Sequence, residues 1–136
     1  MEFKSQEQLQ SCIEDWKKIL FLEDWIIKGV LVESPLLNEN EEELCGQNIY
    51  QIDNRCATIR IVIPSDEDKN RILKFCAEET LVHELLHCKY NWLQKPDCST
   101  MEYVYYDTME HALLTQMAKS LIMAKYDLPY EWFKNF

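Results

Sequence analysis

The sequence predicts an α+β fold: a small three-stranded sheet, mixed or antiparallel, packed against helices, with one helix opening the chain and another near its end. Three observations carry that expectation. Apolar residues recur at helical spacing before residue 22 and again after residue 68. β-branched runs concentrate between residues 24 and 64. Two of these runs adjoin closely enough to form a hairpin, and hairpin-joined strands favour an antiparallel or mixed sheet with helices on one face.

The elements follow in order. Residues 5–22 read as a helix, with Ser5 as N-cap and Leu9, Ile13, Trp16, Ile19 and Leu20 at helical spacing. "DWIIKGVLVE" (24–33) is β-branched and reads as a strand, and "SPLLNENEEELCG" (34–46) as a polar, acidic connection. Its "NENEEEL" portion reads as a solvated loop, or as an acidic flap. "QNIYQID" and "CATIRIVIP" then form a hairpin around Asn54-Arg55, with Ala57, Ile59, Ile61 and Ile63 on one face of the second strand. Pro64 ends that strand. Ser65 and Asp68 can make a capping box ahead of a long helix over about 68–93. "QKPDCST" breaks it, and a last helix runs from about 100 to 126, before Pro129. The aromatic tail "LPYEWFKNF" is expected to pack back.

Composition narrows the function classes. A length of 136 residues suits one domain spanning 1–136, and a 47% hydrophobic content can fill its core. No apolar run is long enough for a membrane span. The amphipathic, acidic N-terminus lacks the features of a signal peptide, so a cytoplasmic location is expected. A net charge of −10 without a basic stripe argues against a nucleic-acid partner. The six cysteines form no CxxC pair and are expected to be thiols. With two glycines, the chain has no Gly-rich phosphate loop.

The chemistry concentrates in "TLVHELLHCKY" (80–90). His83 and His87 are four residues apart, so on a helix they share a face and can reach one ion. Zn²⁺ accepts neutral imidazole nitrogen and keeps a position open for water in catalytic sites. Glu84, between them, is placed to act as general base on such a water. The plainer reading is a buried helix with two hydrogen-bonded core histidines; Leu81, Leu85 and Cys88 can pack the helix in either case.

With this HExxH motif in mid-helix, residues 24–126 resemble a minimal zincin metallopeptidase, gluzincin-like, comparable to small metallopeptidase-like proteins of phage and mobile elements. The resemblance implies a zincin-like sheet packed on an active-site helix and peptide-bond hydrolysis by a Glu84-activated, zinc-bound water. It also implies a peptide or protein substrate added along an edge strand, for which 56–64 is the candidate. Metzincins place further residues after the motif that are absent here, where Tyr90 and Leu93 stand. The gluzincin pattern places a glutamate on a following helix. Glu110 meets it, on a face with Leu113, Met117 and Leu121, and is the preferred third ligand. His111, on the neighbouring face with Leu114, Ala118 and Ile122, is the alternative, and otherwise a cleft residue. Asp107 can orient a ligand histidine. Tyr103, Tyr106 and His111 are candidates to stabilise an oxyanion. Glu78 and Glu79 read as solvated or ion-paired. Because the chain is short for a two-lobed cleft, the alternative function is a catalytically latent or non-enzymatic zinc-binding domain of the same fold, acting through a protein partner.

Overall fold

The computed structural model describes residues 2–33, 35–64, 76–92 and 99–134. Helix α1 (Gln6–Leu20) leads to strand β1 (Ile26–Val32), and a two-stranded piece, β2 (Leu36–Leu37) with β3 (Glu43–Leu44), precedes β4 (Gly46–Gln51) and β5 (Cys56–Val62). Helices α2 (Ala77–Lys89), α3 (Met101–Tyr126) and the single turn α4 (Tyr130–Phe133) follow. The expected mixed α+β arrangement is present, and no described helix is long and apolar enough to cross a membrane.

The three-stranded sheet has the order β1-β5-β4, with β1 parallel and β4 antiparallel to β5. Strand 56–64 is therefore not an edge. Its Ala57, Ile59 and Ile61 are buried, and among the described residues β4 has β5 on one side only. Order along the chain placed 56–64 beside the active-site helix, but it could not show that β1 returns to pair with it.

One row across the sheet, Gly29–Ile59–Asn48, shows how the helices sit. A methyl group at Gly29 would lie 2.7 Å from Ile13 Cδ1 and 2.8 Å from Leu9 Cγ of α1. At the other end, Asn48 bonds to α2. Both helices thus cover the same face, and Ile26 and Ile49 look out from the other.

The outer edge of β1 is closed by amides from α1. Gln6 Nε2 donates to the Gly29 carbonyl at 2.5 Å, and Gln6 Oε1 accepts from Leu31 N–H at 3.1 Å. Gln10 Nε2 donates to the Ile27 carbonyl at 2.9 Å and Gln10 Oε1 accepts from Gly29 N–H at 3.0 Å. Each primary amide imitates a neighbouring strand's peptide group, which protects an otherwise sticky edge.

Other expectations meet the structure unevenly. Ser5 caps α1, its Oγ accepting from Gln8 N–H. α3 starts and stops where expected, between the Thr100 cap and the left-handed Asp127. Leu128 and Trp132 of the tail pack against the core. Helix α2 begins at Ala77 because Cys76 before it is extended (φ −121°, ψ 101°), and the part of the expected 68–93 helix that precedes Cys76 lies outside the described residues. The proposed capping box at Ser65 lies outside the described residues. The acidic connection hides β2 and β3, turned by Asn38, whose Oδ1 accepts from the N–H groups of Asn40 and Glu42.

Candidate metal centre

α2 buries Leu81, Val82, Leu85, Leu86 and Cys88 and leaves His83 and His87 toward α3. The helices run antiparallel, with His83 beside Thr115 and His87 beside Glu110. The buried face of α3 is Leu114, Ala118 and Ile122, the stripe that carries His111. The stripe chosen from sequence fails: Leu113 is 54% exposed, and Met117 and Leu121 are only partly buried. α3 is apolar on nearly every side, so periodicity alone could not select its inward face.

Three imidazoles meet as a result. His83 Nε2 lies 3.2 Å from His111 Nδ1 and 3.2 Å from His87 Nε2. The ligand atoms of the three residues all fall within 4.8 Å of one another. Zinc binds imidazole at about 2.0–2.1 Å, and a tetrahedron of that size separates its nitrogens by roughly 3.3 Å. The two 3.2 Å spacings about His83 Nε2 match that edge.

The remaining ring nitrogens each face an oxygen. His83 Nδ1 is 3.2 Å from Thr115 Oγ1, His87 Nδ1 is 3.6 Å from Glu110 Oε1, and His111 Nε2 is 3.7 Å from Asp107 Oδ1. A carboxylate favours an N–H pointing toward it, so Glu110 and Asp107 favour the tautomers of His87 and His111 that carry the proton on the outer nitrogen. Their inner nitrogens then carry lone pairs aimed at His83 Nε2. Burial, with the charges of His87 and His111, lowers His83 to about 4, leaving it neutral near pH 7. Lone pairs of His87 and His111 that converge on His83 Nε2 can be met either by an N–H of the neutral His83 ring or by a cation. Outer oxygens that fix the tautomers are what metal-binding histidines ordinarily carry.

His83, His87 and His111 are thus brought together, while Glu110 and Asp107 stand behind His87 and His111. Glu84 is buried and close behind His83 in the chain; burial, with a lesser contribution from the Glu79 charge, pushes its carboxyl up to about 7. Asn48 on β4 ties this turn of α2 to the sheet: its Nδ2 donates to the Glu84 carbonyl at 2.8 Å and to Cys88 Sγ at 3.1 Å. Asn48 Oδ1 is buried without a hydrogen bond. Tyr106 is exposed and packs edge-on to Tyr105, and Tyr103 is half-buried a turn before Asp107. Thr115, Glu110 and Asp107 supply contacts to the outer nitrogens of the cluster.

Thr115 and Asn48 escaped sequence reasoning. Thr115 had a usable signal, standing one turn after His111 on the same helix face. Asn48 had none, because only the fold brings β4 over α2. Compared with family models, curated proteins and solved structures, the chain matches none.

Proposed function

We propose that the chain is a zinc-dependent hydrolase acting on peptide bonds, a minimal metallopeptidase of zincin type. The observation that carries this reading is the convergence of three histidine nitrogens at metal-ligand spacing, each ring backed by an oxygen, with Glu84 inside the same motif. In it His83, His87 and His111 hold the ion, in preference to Glu110. Glu110 orients His87, Asp107 orients His111 and Thr115 orients His83. A bound Zn²⁺ supplies Lewis acidity toward a carbonyl oxygen and makes water acidic enough to attack near neutral pH. Glu84 takes the proton from the attacking water and delivers it to the leaving amine. A desolvated carboxyl titrating near neutrality suits both transfers. His111, half-exposed, leaves the cluster open to solvent on its α3 side. An extended peptide would lie along β4, the sheet edge tied to the motif helix through Asn48.

The test pairs metal content with turnover. Purified protein is expected to hold one zinc per chain and to cleave a denatured protein substrate; Glu84→Gln should keep the zinc and lose cleavage. Absence of stoichiometric zinc after reconstitution would sink the reading. Stoichiometric zinc with no cleavage by wild type of any peptide in a diverse library would favour the non-enzymatic zinc-binding domain instead.

A further inference from the structure

Away from the histidines, a single carboxylate oxygen collects three donors. Glu78, 2% exposed in the first turn of α2, accepts at Oε1 from Trp16 Nε1 at 2.7 Å, Tyr126 Oη at 2.8 Å and Lys125 Nζ at 3.2 Å. Trp16 belongs to α1; Lys125 and Tyr126 end α3. Lys125 Nζ also sits 4.4 Å over the Trp16 ring. One buried anion therefore joins all three long helices. Its position near the N-terminus of α2 adds the favourable end of that helix's dipole.

The geometry relates this junction to the cluster. α2 carries two of the converging imidazoles and α3 the third, so their separation depends on how the two antiparallel helices are held. Between Glu78 and the histidines the helices meet through Leu114, Ala118 and Ile122, an apolar contact that resists separation better than sliding. Directional bonds from Tyr126 and Lys125 to one fixed oxygen do resist sliding. A shift of about 1 Å along the axis would spoil nitrogen spacings that a metal requires within about 0.2 Å.

We infer that Glu78, with Tyr126 and Lys125, is a positioning clamp that sets the α2–α3 register and so preorganises His83, His87 and His111 for an ion. The inference rests on the reading of that cluster as a metal centre. Glu78 touches no ligand; it acts through the helix it anchors.

The experiment measures Co²⁺ binding to the full chain, reading affinity and the visible d–d band, in wild type, Tyr126→Phe, Glu78→Gln and Leu9→Ala. The last variant hollows the core between α1 and β1 and controls for loss of stability alone. Tyr126→Phe and Glu78→Gln are expected to weaken Co²⁺ affinity about tenfold and to alter the band, while Leu9→Ala changes neither. Should Glu78→Gln fail to fold, Tyr126→Phe decides alone. Wild-type affinity and band in the clamp variants, or an equal loss in Leu9→Ala, overturns the clamp and leaves the metal centre standing. A wild type that takes up no Co²⁺ overturns the metal centre and the clamp with it.

Discussion

At the scale of single residues, the sharpest question is which of two neighbours on α3 is a ligand. Glu110 Oε1 lies against the outer nitrogen of His87, and His111 Nδ1 lies among the inner ones. Removing a ligand differs from removing its orienting partner. His111→Ala should abolish stoichiometric zinc retention, while Glu110→Gln should weaken affinity by about 10–100-fold and keep the site. Competition against a chelator of known affinity reads both, and the opposite ranking would return Glu110 to the ligand set. A second residue-scale prediction concerns pH in the metal-free protein. His83 falls from 6.5 to about 4 on folding, so the unfolded chain binds its proton first and stability is lost as pH drops through that interval. Glu84 rises from 4.5 to about 7, so the folded chain keeps a proton that the unfolded chain releases, and stability is lost as pH climbs through that interval. The two oppose each other between pH 4.5 and 6.5. Glu84→Gln removes only the second, so its melting temperature relative to wild type should increase from pH 4.5 to 7. The full span corresponds to about 3 kcal/mol. A flat or shrinking difference would mean that Glu84 is not desolvated.

At the scale of elements, close approach of α1 to the sheet depends on Gly29. A Cβ there meets Leu9 and Ile13 well inside contact distance, and both are fully buried. Gly29→Ala should cost about 1–3 kcal/mol from overpacking, reduced by about 0.4–1 kcal/mol from the stiffer unfolded chain. A urea midpoint lowered at unchanged slope is expected; a midpoint equal to wild type or higher would show that α1 can back away freely. This contact illustrates what the sequence conveyed. α1 was legible because Leu9, Ile13 and Trp16 mark one stripe on an otherwise polar helix. α3 was legible as a helix but not in its orientation, because apolar residues surround it. That ambiguity, with the family pattern, made Glu110 the preferred ligand. The shared face of His83 and His87 was readable because an i, i+4 spacing is local to one helix. The parallel pairing of β1 with β5, the Asn48 tether and the Glu78 junction join residues 30 to 62 positions apart and leave no local trace.

At the scale of the whole molecule, the candidate ion is also a cross-link. Its proposed ligands, His83, His87 and His111, stand on two different helices, and the unfolded protein does not hold them together. Binding to the native state alone stabilises by RT ln(1 + [metal]/Kd), about 4 kcal/mol at a thousandfold excess over Kd. For a chain of this length that corresponds to a melting shift on the order of 10 °C. Chelation should therefore lower the wild-type melting temperature by about that amount, with full recovery on adding zinc. His83→Ala and His111→Ala should melt near the chelated wild type and gain nothing from zinc, although the first removes a ligand from α2 and the second from α3. Glu84→Gln should respond to zinc as wild type does, because the proposed role of Glu84 is to move a proton and not to hold the ion. The net charge of −10 attracts divalent cations everywhere on the surface, so magnesium in place of zinc is the control. An equal gain from magnesium, or a zinc gain that survives loss of His111, would assign the effect to surface screening and remove the clasp between α2 and α3.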